Sequence, residues 1–222
     1  MRARHAILAV PVLVGLVAAA AAVLPTGEKY DCRLGNLNPP ADLVPGWFTG
    51  LERYAYLIEP SEQCDCPVGF QLETITMLLN FDPTMVPVTF QAHGSLLAAD
   101  LDPSGYFVPG EELCTGPPVM IEILDPGTIA VTVPMDGCPC AAMESPYFLA
   151  ISFDTPFVAN LVVDGFPAPG IAYNDKGTGW VDLYDWLGKT AGKIIVWGDV
   201  ICCTGVIDTR TGTWGSVKSL YR

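Results

Sequence analysis

Val119-Met120-Ile121-Glu122-Ile123-Leu124-Asp125-Pro126-Gly127-Thr128-Ile129-Ala130-Val131-Thr132-Val133 is the stretch that decides how the chain is read. Apolar side chains recur at every second position on both sides of Asp125-Pro126-Gly127, the period of a strand with one face buried. Proline presets φ and glycine accepts a positive φ. The segment therefore predicts two strands, Val119 to Leu124 and Thr128 to Val133, closed as a β-hairpin.

Working outward, the same kind of run recurs at Arg53 to Glu59, Gln71 to Leu79, Val86 to Ala92, Tyr106 to Val108, Tyr147 to Phe153, Phe157 to Val163, Trp180 to Trp186 and Lys193 to Trp197. Between the runs stand turn formers such as Asp82-Pro83, Asp102-Pro103-Ser104-Gly105, Pro109-Gly110, Asp136-Gly137, Asp164-Gly165 and Pro169-Gly170. Beyond the first residues, no segment sustains the roughly 3.6-residue apolar period of an amphipathic helix. Short strands at regular intervals predict an all-β fold, an antiparallel two-sheet sandwich of jelly-roll or Ig-like type, over residues 47–203. Residues 25–46, with Pro39-Pro40, read as an extended Pro-rich lead-in without regular structure.

The first 24 residues have the pattern of an export signal: Arg2 and Arg4, then an uncharged apolar run from Ala6 to Leu24 with small residues at Ala18 to Ala22. A run of that length also fits an uncleaved anchor. Either reading places the remainder outside the cytoplasm, extracellular or at the cell surface. The whole chain carries a formal charge of −13. Loss of the two leader arginines leaves nine Lys and Arg against 24 Asp and Glu, or −15, so nucleic acid is not an expected partner. Between Arg53 and Lys176 there is no Lys or Arg but there are sixteen Asp and Glu. Those carboxylates must be solvated, capped by backbone N–H groups or held by a divalent ion.

Eight cysteines follow the leader: Cys32, Cys64, Cys66, Cys114, Cys138, Cys140, Cys202 and Cys203. An even set in an exported chain predicts disulfides. Geometry disfavours bonding within Cys64-Asp65-Cys66, within Cys138-Pro139-Cys140 or between vicinal Cys202 and Cys203, so each doublet is expected to tie separate segments together. Eight cysteines allow about 105 pairings in all, and the sequence does not choose among them. A zinc site made from the two doublets is the alternative, against the wider spacing such sites favour.

The stretch Tyr173-Asn174-Asp175-Lys176-Gly177-Thr178-Gly179-Trp180-Val181-Asp182-Leu183, together with the upstream Cys138-Pro139-Cys140, resembles extracellular bacterial β-sandwich domains of uncharacterised secreted proteins. The resemblance spans roughly residues 64–203 and implies a binding, adhesive or structural sandwich at or beyond the cell surface. Fold alone does not assign function.

Several residue sets invite chemistry. If Trp180 to Trp186 is a strand, Trp180, Asp182, Tyr184 and Trp186 share a face, and with Tyr173 they would form a ligand-binding platform for polysaccharide. Asp100, Asp102 and Glu111, with Asp175 on the later loop, are where calcium, the one cofactor considered, would bind. Both sets have plainer explanations, core packing for the aromatics and turn chemistry for the acids. His93 reads as an ordinary histidine at a strand end, no nucleophile elbow accompanies it, and no carboxylate sits in a glycosidase motif. The expectation is a secreted protein that binds or builds without catalysis. It would be a structural or adhesive surface or matrix subunit, self-associating through its lead-in or its basic, aromatic tail (204–222). The alternatives are a carbohydrate-binding module and a secreted glycoside hydrolase.

Overall fold

Alternating apolar runs become strands wherever neighbouring strands and a second sheet can satisfy them, and the described residues form fourteen strands with two single helical turns. The computed structural model describes residues 31–187 and 191–204. The expected leader and nearly all of the expected tail lie outside these residues. In chain order the elements are β1 (Cys32–Gly35), β2 (Asp42–Gly50), β3 (Arg53–Ile58), α1 (Pro60–Gln63), β4 (Gly69–Phe81), β5 (Val88–Leu101), β6 (Phe107–Thr115) and β7 (Val119–Ile123). They continue with β8 (Gly127–Pro134), β9 (Ala141–Ala142), β10 (Tyr147–Phe153), β11 (Pro156–Val163), β12 (Ala172–Asp175), β13 (Val181–Asp182), α2 (Leu183–Trp186) and β14 (Val196–Cys202).

Two seven-stranded antiparallel sheets result. The first runs β1-β14-β4-β11-β2, with β8 and β9 also on β4. The second runs β13-β12-β3-β10-β5-β6, with β7 also on β5. The all-β, two-sheet sandwich expected from the sequence is the fold. The hairpin is not: β7 pairs with β5, Ile123 opposite Val88, while β8 pairs with β4, Gly127 opposite Phe81. Asp125-Pro126-Gly127 thus carries the chain from one sheet to the other. Alternation looks the same for two strands that pair with each other and for two that face each other across a core, so the sequence pattern could not separate them.

The lead-in is also corrected. Residues 32–35 and 42–50 are strands of the first sheet, and Leu34 is fully buried. Pro45 sits in the edge strand β2, where a missing N–H costs little. The short β1 is covered by α1, where the Gln63 side-chain amide accepts from Gly35 N–H (2.8 Å) and donates to Gly35 C=O (3.1 Å), as a neighbouring strand would.

Between the sheets lies an aromatic core in which Phe90 and Phe157 stack at 3.9 Å and Phe48 and Phe153 meet edge to face at 4.7 Å. Gly94, expected to end a strand, lies inside β5. A Cβ there would come within about 3 Å of Val133 and Ile75, so the residue is small because the core is full at that point. All seven positions of β10 are buried, the inward ones in the main core and Phe148 and Ala150 in a second cluster with Ala55, Leu97 and Tyr173. The second sheet achieves this by curling. Tyr173 of β12 donates its hydroxyl to the Phe107 carbonyl of β6 at 2.8 Å, although four strand spacings, roughly 19 Å if flat, separate the two strands. Register shifts between β5 and β6 at Leu96/Leu97 and Leu97/Ala99 supply the bend.

Four disulfides staple the sandwich: Cys32–Cys64, Cys66–Cys202, Cys114–Cys138 and Cys140–Cys203. Each doublet ties separate segments, and no cysteine is left for zinc. The sulfurs of Cys32, Cys66 and Cys202 lie within 4.8 Å of one another because two bridges abut. Four bridges in one domain belong to an oxidising, extracellular-type environment. No helix among the described residues is long and apolar enough to cross a membrane.

Candidate functional site

The curl leaves the outer face of the second sheet concave, and strand register decides which side chains line it. Asp175 stands opposite Arg53, Arg53 opposite Ser152, and Ser152 opposite His93, a row across β12, β3, β10 and β5. Their neighbours Tyr54, Ile151 and Gly94 face the core, so the period of two turns the row outward. Asp154, two residues beyond Ser152, returns to the same face and pairs with His93 Nδ1 at 2.9 Å. Glu112 of β6 forms the far wall, accepting from Ser95 at 3.1 Å and from Thr115. The cleft between these walls encloses about 400 Å³.

Its near wall is the loop from Asp175 to Trp180. The Asp175 carboxylate accepts from the N–H groups of Gly177 (2.7 Å) and Gly179 (3.0 Å) and pairs with Arg53 at 2.5 Å. Burial alone would raise its pKa, but the Arg53 and backbone hydrogen bonds outweigh it and hold the carboxyl below the usual aspartate range. Gly177 and Gly179 have φ of +89° and +99°, conformations that side chains resist. The Arg53 guanidinium lies over Trp180, 4.7 Å from the ring centre.

On the other side of this loop is a second concavity of about 370 Å³, lined by Gly46, Trp47, Thr49, Lys176 and Trp186. Trp47 and Trp186 meet edge to face at 4.9 Å, and Trp186 is 48% exposed. Lys176 lies over Trp47, donates to its carbonyl at 2.8 Å and stands 3.5 Å from Glu52. Glu52 itself is buried and accepts from Thr49 N–H (2.6 Å), the Tyr54 hydroxyl (2.9 Å) and Asn174 Nδ2 (3.1 Å). Burial, and then the Glu52 charge, push the Tyr54 pKa far above its ordinary value, so the Tyr54 hydroxyl stays a donor. The loop is thereby braced from behind by a buried polar network.

The expected aromatic platform does not form. Asp182 caps a helical turn, accepting from Tyr184 N–H at 2.9 Å and from Gly170 N–H at 2.6 Å, so residues 183–186 rotate by about 100° per residue instead of alternating. Burial lifts the Asp182 pKa, with Asp185 adding to the rise. Tyr173 is buried with its hydroxyl committed to Phe107, Tyr184 is half-buried on α2, and Trp180 and Trp186 lie on opposite sides of the loop. The calcium set is not gathered either. Asp175 is level with His93, whereas Asp100 lies seven residues further along β5, roughly 23 Å away. Asp102 accepts from Ser104 and from Tyr106 N–H, Glu111 is exposed, and turn chemistry accounts for the Asp102 loop.

Sequence reasoning did not single out Arg53, Ser152 and Asp154, and it placed His93 at a strand end where it is mid-strand. The signal present was polar residues at alternate positions of otherwise apolar strands, in Ala150-Ile151-Ser152-Phe153-Asp154 and Phe90-Gln91-Ala92-His93. Only the register shows that they meet.

Fold and site together define a disulfide-stapled β-sandwich with a braced double concavity at one end. The chain belongs to the family described as "Domain of unknown function (DUF7451)", whose model matches residues 32–200, from the first strand almost to the end of the last. No curated protein and no solved structure matches the chain.

Proposed function

We propose that this is an exported surface or matrix protein that acts by adhesion, without catalysis, and that it makes contact through the double concavity. The observation that carries the reading is the loop from Asp175 to Trp180. Its charges are neutralised internally and its backbone is fixed before any ligand arrives, so little ordering entropy would be lost on binding. The leader-like first 24 residues and the oxidising environment required by four bridges support export. Ser152, His93 and Asp154 have the residue types of a hydrolytic set, but Ser152 is the next-to-last residue of an extended strand on the cleft lining, with no sharp turn to present its Oγ to a carbonyl.

The test is retention of the purified full chain on envelope and matrix fractions, compared with Arg53→Ala and Trp186→Ala. Loss of about tenfold in retention in each variant is expected, the scale for truncating an Arg or Trp anchor. Unchanged retention in both variants, or ester or glycoside hydrolysis abolished by Ser152→Ala, would remove the proposal.

A further inference from the structure

We infer that the ligand of the double concavity is a neutral polysaccharide strand, its hydroxyls bound by Arg53, Ser152 and His93 and one ring stacked on Trp186. This rests on the adhesive reading above and narrows it to a ligand class.

The charges decide against ionic ligands. Both cations near the cleft already have a carboxylate, Arg53 with Asp175 and Lys176 with Glu52, and the His93 ring is hydrogen-bonded to Asp154. Glu112 adds a further negative charge on the far wall, so a uronate, sulfated or phosphorylated chain meets a surface that is neutral to negative. A basic peptide fares no better. Asp175 already accepts three hydrogen bonds, Glu52 is buried behind the loop, and Glu112 is engaged by Ser95 and Thr115. Of these carboxylates Glu112 alone has no cationic partner among the described residues, and its oxygens already accept from two hydroxyls.

What remains is suited to groups that both donate and accept. One edge of the Arg53 fork lies on Asp175 and the rest of the guanidinium, on a side chain 44% exposed, can donate. The Ser152 hydroxyl both donates and accepts, and it sits between Arg53 and His93 in the row. Asp154 takes His93 Nδ1, which leaves Nε2 for a ligand. Sugar hydroxyls match this mixed set without bringing charge. Across the dividing loop, Trp186 offers an exposed ring held edge to face by Trp47, where the apolar C–H face of a pyranose can stack. Both concavities are shallow and share one wall, the form that a chain of linked rings fills better than a compact small molecule does.

The experiment titrates the full chain by tryptophan fluorescence and calorimetry against soluble neutral glucans, mannans and xylans, and against pectate, alginate and heparin. At least one neutral polymer is expected to bind, with affinity falling about tenfold in Trp186→Ala and in Arg53→Ala. Added salt or EDTA should leave that binding unchanged, since no phosphate-like or metal-bridged contact is involved. Both variants must first show four intact bridges by mass spectrometry and an unchanged thermal midpoint. Tighter, salt-sensitive binding of the anionic polymers would overturn the inference. If no polysaccharide binds while envelope retention still depends on Arg53 and Trp186, the ligand class falls and the adhesive reading stands; if retention is also indifferent to both residues, both fall.

Discussion

Removing the Cys114–Cys138 bridge, which ties β6 of the second sheet to the loop after β8 of the first, tests how far the sandwich depends on its staples. Its loop spans 24 residues and contains no end of another bridge, so its closure is independent of the other three. A chain-entropy model in which the loss grows with the logarithm of loop length gives about 3.4 kcal/mol at 25 °C for that loop. The Cys66–Cys202 loop is nominally 136 residues, but with the other bridges closed its effective length is shorter, so its loss should exceed that of Cys114–Cys138 only modestly. For a chain of this size, each 1 kcal/mol moves the thermal midpoint by roughly 2–4 °C. The Cys114→Ala/Cys138→Ala variant should therefore melt about 7–14 °C lower. Calorimetry under non-reducing conditions measures the shift, after peptide mapping has shown the other three bridges intact. A drop of less than about 3 °C would show that the unfolded chain is not being restrained as argued.

Asp164 is buried and accepts from Asn36, Asn38, the N–H groups of Phe166 and Lys193, and the Lys193 ammonium at 3.2 Å. Burial alone would raise its pKa, but these donors outweigh burial and lower it. Asp164→Asn should cost about 3 kcal/mol at pH 7 by turning an amide toward three donors. Because the folded value is depressed, the charged carboxylate's contribution is fully present above the unfolded value of about 3.9 and lost as pH falls through the folded one. Denaturant curves of wild type and variant should therefore converge below about pH 4; a constant gap across that range would contradict the argument. Gly94→Ala places a methyl against Val133, Ile75 and Met135 and should cost about 1–3 kcal/mol, read from the urea midpoint. Phe157→Ala removes a ring that packs on Phe48, Phe81, Phe90 and Phe153 and should cost about 3–5 kcal/mol; a loss under 1 kcal/mol would mean the aromatic core can collapse around the gap.

Strand existence was legible where one face is buried and turns bound the run: the expected bounds of β10 are those found, and β3, β7, β8 and β11 differ by a residue or two. Signals failed for separable reasons. β12 is buried at all four positions, so it shows no alternation. β1 and β2 flank Pro39-Pro40 and drew the eye as a linker. β14 begins three residues later than the Lys193 start and runs on to Cys202. In β4 the buried set moves from Phe70 and Leu72 to Ile75, Met77, Leu79 and Phe81 because the register slips where β14 passes from Asp199 to Val200. The site was less legible than the fold. Each member of the Arg53, Ser152 and His93 row is unremarkable in its own strand, and their proximity depends on two pairings, Arg53 with Ser152 and Ser152 with His93, between positions 99 and 59 residues apart.

The place of β14 in the first sheet sets a condition on when the domain can form. Among the described residues it is the last strand in the chain, yet it lies between β1 and β4, and its contact with β1 joins Arg33 to Asp199 across 166 positions of chain. A polypeptide delivered through a narrow channel from its N-terminus has no completed first sheet until nearly all of the sandwich has emerged. The topology thus defers closure of the first sheet, and of the two bridges that end at Cys202 and Cys203, until the C-terminal end of the domain is present.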